Sequence, residues 1–600
     1  MFSDPLPILV MAPIAAGFAC IAVPDGMKGL IKLFTGIVTA ACLAGSIFVF
    51  REKPAFWFYG DTAVLLADNL SGFIAIAVSA FAFLITIYSF GSVERSFGRY
   101  FGYVLMTLGA SMGVIFANNL LVMLVFWGFL AAMLYLLVNL ENTKEAALAG
   151  RKALIIIGGT DAVMIFGIGL IWIMTDTFSM DMIRLPLDSI LTYTAYFCIV
   201  IASFAKAGAM PFHSWLPDVA ESASGSVAAY LPASLDKLLG IYLLARVSFD
   251  LFITTAASNL VLLAVGAITI VLAVMMALVQ HNYRKLLGYH AVSQVGYMIL
   301  GIGSGTVIGI AGGLFHMLNN AIYKSCLFLT SGAVEKKAGT MDLDKLGGLA
   351  KFMPFTFLAC VIASLAISGI PPFNGFVSKW MIYQGIIESA SSSRLWVVWL
   401  CAAMFGSALT IASFMKLLHA AFMGRKSDNI KEIREVGPSM YIPMLTLALI
   451  CIIFGIFAFS IPLPLFILPA VSGVPAFIGT WGAVLATILI LVGAAAGFIL
   501  YRFFGRSGLR IVDNFVGGEA PEKLSRVSGT EFYDTINDIS LIGRINRAES
   551  AGNFDLYNIG MKAVNFFTIP LQRLHNGVLP TYLIWCFLGM VGMFLFLFFR

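Results

Sequence analysis

The feature that most constrains this chain is a succession of about sixteen apolar runs. A helix needs about 20 mostly apolar residues to cross a bilayer, and each run is long enough. Hydrophobic residues make up 60% of the 600 residues and charged residues 11%, against about 25% charged in soluble domains. We therefore predict an all-α polytopic membrane protein. The predicted spans are 5–24, 30–50, 69–91, 100–118, 119–140, 153–174, 189–210, 225–247, 256–280, 287–303, 306–331, 354–388, 395–422, 438–461, 474–503 and 579–599.

Basic residues are distributed unevenly between the links that join these runs. If the N-terminus lies outside, the inside links carry 17 lysines and arginines and the outside links carry 5. Cytoplasmic loops are enriched in these residues, so we predict an outside N-terminus. The first run follows the acidic Asp4 and lacks a basic start and a cleavage site. We interpret it as the first span and not as a signal peptide.

Cysteine and histidine give no sign of a metal or cofactor site. The eight cysteines all lie in apolar runs without a CxxC motif, so iron–sulfur or zinc ligation in this chain is not expected. The six histidines are thinly spread, and isolated polar or packing roles are favoured over a bis-histidine haem pair. The net charge of +6 follows from the inside links and does not indicate a nucleic-acid partner.

The stretch 205–240 combines helix breakers with buried charge. Lys206 lies in one apolar run, which Pro211 interrupts, and Asp236 and Lys237 follow Pro232 in the next run. A lysine at bilayer depth costs roughly 2.5–3.5 kcal/mol, and a broken helix needs protein or water to satisfy its free backbone groups. We therefore predict a hydrated polar path at mid-membrane, with lysines as its ionisable groups.

Further ionisable residues lie inside other runs, and they are Asp161, His316, Lys324 and Lys379. His316 and Lys324 are eight residues apart, so they line one helix face. Burial disfavours the charged form of a lysine, whereas a nearby carboxylate favours it, as a proton relay requires. The alternative is that a lysine near a span end reaches to the headgroups. That alternative is strongest for Lys416 and weakest beside the helix breaks.

A short internal repeat connects two of the breaks. Gly208-Ala-Met-Pro211-Phe-His resembles Gly369-Ile-Pro371-Pro372-Phe-Asn, and both pieces interrupt a run near its middle. The two pieces lie five spans apart, so the units that contain them would be inverted. Inverted repeats with broken helices are typical of transporters. Chance similarity of six residues is the alternative.

The chain changes character after residue 503. Residues 504–530 are polar and glycine-rich, and 532–569 carries a helical stripe of apolar residues. We predict a lateral amphipathic helix there, bent near Gly552 and ended by Pro570, and an anchor span over 579–599. A solvent-exposed helical tail is the alternative.

Taken together, these motifs resemble the antiporter-like membrane subunits shared by respiratory complex I, Mrp-type cation/proton antiporters and energy-converting membrane-bound hydrogenases. The resemblance covers nearly the whole chain. The motifs that carry it begin at Asp68 (DNLSG), Phe204 (FAKAGAMPFHSWLPD), Tyr283 (YRKLLGY), Phe315 (FHMLNNAIYK) and Ser368 (SGIPP).

The resemblance implies two inverted five-helix repeats, spans 4–8 and 9–13, and a charged axis along the membrane midplane. It also implies domain bounds of 1–94, 95–250, 251–424, 425–503, 504–577 and 578–600. The relay would contain Lys206, Lys237, His316, Lys324, Lys379, Asp161 and Asp236, with hinges at Pro211, Pro232, Pro371 and Pro372.

One motif departs from the family pattern. The family usually has Trp-Glu in the fifth span, and the glutamate pairs with the seventh-span lysine. Here the pair reads Trp127-Gly128. Either Asp161 or Asp236 replaces the glutamate, or the first half-channel is altered or silent.

The C-terminal extension and the stretch 231–242 are most similar to the hydrogenase branch. This implies a proton or sodium/proton translocating subunit in a prokaryotic cell membrane, with nickel–iron and iron–sulfur centres in partner subunits of a peripheral hydrogenase module. The alternatives are the distal pumping subunit of a quinone-reducing NADH dehydrogenase, a stand-alone Mrp-type antiporter, and a membrane scaffold without transport.

Overall fold

The computed structural model describes residues 4–391, 394–423, 433–471, 482–504, 551–575 and 577–599, and isolated positions between them. Its α-helices up to the first break are α1 (Pro5–Ala22), α2 (Lys28–Glu52), α3 (Asn69–Ser92), α4 (Phe97–Phe116), α5 (Leu120–Asn139), α6 (Lys144–Thr175) and α7 (Ile190–Ala207). Those that follow are α8 (Trp215–Ser222), α9 (Gly225–Ala228), α10 (Asp236–Arg246), α11 (Ala256–Leu278), α12 (Tyr283–Gly303), α13 (Val307–Ala338), α14 (Pro354–Ser368), α15 (Asn374–Glu388), α16 (Trp396–Leu418), α17 (Pro438–Ile456), α18 (Ala483–Phe504), α19 (Leu556–Leu574) and α20 (Leu579–Phe598).

The described structure also contains four short strands. β1 (Ala55–Tyr59) and β2 (Thr62–Ala67) form an antiparallel hairpin with a register shift between Trp57 and Phe58. β3 (Leu185–Pro186) and β4 (Phe252–Ile253) form a two-residue parallel pair between links. The protein is therefore an all-α polytopic membrane protein, as the sequence predicted.

The predicted spans correspond closely to the helices. Thirteen described helical segments are long and apolar enough to cross a membrane. The other three predicted spans correspond to α12, α13 and the interrupted pair α14 and α15. These carry more polar residues, because they hold much of the candidate site.

The core of the membrane domain is formed by the helices at the centre of the sequence. The segment Gly225–Leu251 is buried along its whole spanning window, and α12 and α13 are buried over most of their lengths. Small residues allow the close approach that membrane helices need. A Cβ added at Gly296 would lie 2.6 Å from the carbonyl oxygen of Gly266 on α11.

The helix breaks at α7 and α14 have the same local construction. Each helix ends at a glycine in the left-handed region, Gly208 with φ +81° and Gly369 with φ +78°. Glycine reaches this conformation without the steric cost that a Cβ brings. A cis proline follows three residues later in each case, at Pro211 and Pro372. The predicted interruption of 354–388 is confirmed.

The predicted hinge at Pro232 takes a different form. Ala229–Leu235 is a π-helical segment that contains Pro232 and runs directly into α10. The wider turn of a π-helix accommodates the missing N–H of proline without interrupting the helix. The stretch after Pro211, predicted to be irregular, also contains the short helix α8.

The chain divides into two compact units, 1–539 and 540–600. In the second unit, α19 contains Pro570 and continues to Leu574. The prediction that Pro570 ends the helix was therefore wrong. A proline removes one backbone hydrogen bond, but four more residues keep helical geometry here. Most of the predicted amphipathic stripe before residue 551 lies outside the described residues, and the anchor span is present as α20.

Candidate functional site: buried lysines and histidines along the membrane domain

The ends of the broken helices provide free carbonyl groups at mid-chain. The last four carbonyls of a helix have no partner within it. In α7, the Ala207 carbonyl accepts a hydrogen bond from Lys237 Nζ at 3.0 Å. In α14, the Ile367 carbonyl accepts one from Lys379 Nζ at 2.9 Å. Each break therefore holds a buried lysine at the negative end of a helix dipole.

Lys206 lies in the last turn of α7, fully buried. Its Nζ is 3.9 Å from Asp236 Oδ1 on α10 and 5.1 Å from the centre of the Trp127 ring on α5. The Trp127 indole N–H donates a 2.9 Å hydrogen bond to Asp161 Oδ1 on α6. Two buried carboxylates thus flank this lysine. One faces it directly, and the other is held by the tryptophan beneath it.

Asp236 and Lys237 are neighbours in sequence with different targets. Successive residues point about 100° apart on a helix and do not face each other. Asp236 faces Lys206, and Lys237 donates to the backbone of Ala207. The α10 helix therefore meets the end of α7 through two adjacent residues, one with a charged partner and one with a backbone partner.

A second group of buried polar residues centres on α12 and α13. Lys324 Nζ donates to the Leu287 carbonyl at 2.9 Å and lies 5.6 Å from the Phe414 ring centre. The His290 ring is 4.7 Å from the same ring, and its Nε2 lies 2.7 Å from Ser413 Oγ. Lys324 and His290 therefore share one aromatic neighbour on α16.

His316 connects α13 with α15 and α12. Its Nδ1 is 2.9 Å from Ser378 Oγ and its Nε2 is 3.2 Å from Gln294 Oε1. The Tyr297 ring lies 5.4 Å from the His316 ring and 4.8 Å from Lys379 Nζ. His316 and Lys379 are thus brought together around one tyrosine.

All seven predicted relay residues are buried in the membrane domain, with relative exposures between 0% and 9%. Their roles in a proton relay stay a prediction. Burying an ionisable side chain at bilayer depth costs free energy, and this applies to each of the seven. Lys416, for which a headgroup position was the strongest alternative, is buried too, and its Nζ donates to the Gln280 carbonyl at 2.8 Å, just beyond the end of α11. It caps a neighbouring helix end.

Three further polar residues of this site, His290, Gln294 and Tyr297, were not predicted from the sequence. They are spaced by four and three along α12, so they lie on one helix face, and all three are buried. The signal was present in the stretch GYHAVSQVGY. It was missed because a histidine and a glutamine are weaker markers than a lysine.

Two groups of membrane helices, α4 to α10 and α11 to α16, each contain a glycine-ended break and a buried lysine. Discontinuous helices of this kind are typical of polytopic membrane transporters. Residues 117–410 match the model of the family described as "NADH:quinone oxidoreductase/Mrp antiporter, TM". This match over the central membrane domain confirms the predicted resemblance.

Curated relatives are sodium/proton antiporter subunits from bacteria. The chain is 32% identical over 457 residues to the A1 subunit of the Na(+)/H(+) antiporter of Staphylococcus epidermidis, which is 68% of this chain and 56% of that protein. It is 29% identical over 427 residues to a Na(+)/H(+) antiporter subunit of Alkalihalophilus pseudofirmus, or 66% and 53%. The chain therefore spans about half the length of the curated relatives it matches.

Solved structures share the fold. A chain of the membrane-bound sulfane sulfur reductase, an archaeal respiratory membrane complex, matches with a TM-score of 0.82 and 22% identity, over 98% of this chain and 100% of that one. A chain of the Mrp complex from Dietzia sp. matches with 0.73 and 21%, over 78% and 97%. A chain of Thermus thermophilus respiratory complex I matches with 0.67 and 20%, over 78% and 99%.

Proposed function

We propose that this chain translocates protons through the buried lysines and histidines, as the antiporter-like subunit of an energy-converting membrane complex. In the hydrogenase form of this proposal, partner subunits carry nickel–iron and iron–sulfur centres. The observation that carries it is the series of buried cationic groups, each placed against a carbonyl, a hydroxyl or a carboxylate. Ionisable residues inside membranes are rare unless they serve a pathway.

The fold supports other membrane subunits as partners. A solved chain of an archaeal respiratory membrane complex shares the fold over 98% of this chain, and this supports a chain that works beside other membrane subunits. Redox steps in those subunits would change the charge states of Lys206, Lys237, His316, Lys324 and Lys379 in turn. The outside position of the N-terminus belongs to the same proposal.

A second candidate function is sodium/proton exchange without redox partners. The names of the curated relatives favour it. Purification from the native membrane separates the two. A nickel–iron subunit pair found by mass spectrometry and metal analysis supports the hydrogenase form, a flavin-bearing NADH module supports the quinone-reducing form, and other antiporter subunits with neither support the exchange function.

The transport proposal is tested by Lys206→Ala and Lys379→Ala in the purified complex reconstituted into vesicles. We expect both variants to assemble and to lose coupled proton movement, because each removes a buried ionisable group. Lys345→Ala is the matched control, since the Lys345 side chain is 63% exposed, outside the spans. Proton uptake at the wild-type rate in both Lys206→Ala and Lys379→Ala would contradict the proposal and support a membrane scaffold without transport.

A further inference from the structure

We propose that Asp236 is the working counter-charge of Lys206, and that α10 and α7 form a two-point latch made by Asp236 with Lys206 and Lys237 with the Ala207 carbonyl. In this assignment, Trp127 fixes the position of the Asp161 carboxylate, and Asp161 is not the counter-charge of Lys206. This inference rests on the proposed function and assigns, within it, the residue that neutralises Lys206.

The two carboxylates beside Lys206 are held very differently. Asp161 Oδ1 accepts a hydrogen bond from the Trp127 indole at 2.9 Å. Asp236 Oδ1 lies 3.9 Å from Lys206 Nζ, beyond hydrogen-bond distance. Within the described part of the chain, neither Lys206 Nζ nor Asp236 Oδ2 has a hydrogen-bond partner. The pair is therefore joined by charge alone, and its separation breaks no hydrogen bond.

Both contacts of the latch come from adjacent residues on each helix. Asp236 and Lys237 on α10 reach Lys206 and Ala207 on α7. Because the two helices meet through neighbouring positions, a displacement of α10 opens both contacts in the same step. The state of Lys206 is thereby coupled to that of Lys237.

The backbone before the latch suits such a displacement, and the contact one turn after it holds α10 against α7. Asp236 is the first residue of α10 and follows the π-helical segment Ala229–Leu235 directly. Single π turns inside helices are frequent at functional sites. One turn later, Gly240 brings α10 against α7, because a Cβ added there would lie 2.7 Å from the Ala207 nitrogen. The Gly240 carbonyl also accepts a 2.7 Å hydrogen bond from Ser203 Oγ.

The first experiment compares Asp236→Asn with Asp161→Asn, measured as initial proton uptake by the reconstituted complex. We expect Asp236→Asn to lose about tenfold or more, because an uncompensated buried ammonium remains, and Asp161→Asn to lose about threefold at most, since it keeps its hydrogen bond from Trp127. The reverse order of effects would overturn the assignment.

A paired substitution guards against a variant that fails to fold. Lys206→Gln with Asp236→Asn removes both charges, so we expect its thermal midpoint and complex assembly to recover relative to Asp236→Asn alone, while transport stays lost. Failure of the double variant to assemble would overturn the proposal, because a mutually neutralising pair tolerates joint removal.

The latch itself is tested without a change of charge. Gly240→Ala places a methyl group against the α7 backbone and separates the two helices, so we expect proton uptake to fall several-fold. Gly158→Ala on α6 is the matched control, since nothing lies within 4 Å of its added Cβ, and we expect the wild-type rate. Equal rates in the two glycine variants would exclude the latch.

The outcome also separates this inference from the function it builds on. If Asp236→Asn transports normally while Lys379→Ala is inactive, the transport proposal stands and the counter-charge assignment is wrong. If neither substitution affects proton uptake, both are wrong.

Discussion

The first half of the membrane domain, α4 to α10, and the second half, α11 to α16, each hold a lysine on a backbone carbonyl, but they differ in their buried carboxylates. In the first half, Lys206 faces a buried carboxylate and a second one lies behind Trp127. In the second half, Lys324 and Lys379 are held by backbone carbonyls. Among the described residues of α11 to α16, no carboxylate side chain is buried. The same fold therefore presents one half with acidic counter-charges and one half without them.

This difference has an electrostatic consequence. An uncompensated charge is costly to bury, and like charges at short distance repel each other. We therefore expect Lys206 in the first half to keep its proton beside the Asp236 carboxylate. In the second half, we expect few of the buried lysines and histidines to be protonated at one time, with protons passing between them. The following predictions either remove this difference or measure it.

The largest effect is expected from a carboxylate added to the second half by Asn320→Asp. Asn320 is buried on α13, one turn from both His316 and Lys324, and neither polar atom of its amide has a hydrogen-bond partner among the described residues. The new carboxylate would stabilise the charged form of the nearby cations, so we expect proton uptake to fall about tenfold or more. Asn320→Leu adds no charge and should lose much less. Wild-type proton uptake by Asn320→Asp would show that transport does not require the absence of a buried carboxylate in the second half.

A smaller loss is expected at His290, the buried histidine of α12 that the sequence did not single out. His290→Ala removes the imidazole beside Phe414 and Ser413, and we expect a smaller loss of proton uptake than in Asn320→Asp, because Lys324 stays in place beside the same ring. His290→Gln keeps a hydrogen-bonding side chain without a proton that titrates near neutral pH. The same loss in both variants indicates proton transfer. Full recovery in His290→Gln would indicate a packing role.

The glycines at the two breaks test a feature that the halves share. Gly208→Ala and Gly369→Ala each place a Cβ on a backbone with φ near +80°, which costs about 1–2 kcal/mol. We expect both to lower the free energy of unfolding by about that amount, as seen in the thermal midpoint of purified protein. Gly369→Ala should also reduce proton uptake, because the added Cβ lies 3.0 Å from Lys379 Cδ. An unchanged midpoint in both variants would contradict this account of the breaks.

The smallest effect concerns a charge pair at the rim of the first half. Asp68, which precedes α3, accepts hydrogen bonds from both terminal nitrogens of Arg246 at 2.6 and 2.7 Å. Burial raises the pKa of the Asp68 carboxyl, but the guanidinium and Ser71 outweigh it and hold that pKa below its usual range.

A depressed pKa stabilises the fold at neutral pH, and this contribution is lost as pH falls from about 4, the ordinary aspartate range, through the folded value. Asp68→Asn should therefore cost about 1 kcal/mol at pH 7 and flatten the loss of thermal stability in acid. A variant that matches the wild type at pH 7 and loses stability as steeply in acid would contradict the assignment.

Much of this arrangement could be predicted from the sequence. Gly208 and Pro211, and Gly369 and Pro372, mark the breaks through backbone preferences that are local. The buried lysines stand out because apolar runs surround them. Local signals of this kind do not depend on which helices later become neighbours.

The partners of the lysines could not be predicted. The choice of Asp236 over Asp161 depends on how closely α7 approaches α10, and the acceptor of Lys237 is a backbone carbonyl that carries no signature in the sequence. The end of α19 beyond Pro570 was missed for a related reason, since a proline weakens a helix without fixing where it stops.

The acceptors of Lys237 and Lys379 belong to the main chain, and this limits how substitutions can act on them. Every amino acid supplies a carbonyl oxygen, so no substitution at Ala207 or Ile367 deletes the group that holds the ammonium. Only a change in the path of the backbone can release the lysine. The shape of each interrupted helix, more than the identity of any side chain at its end, therefore governs when these two cations are free to move.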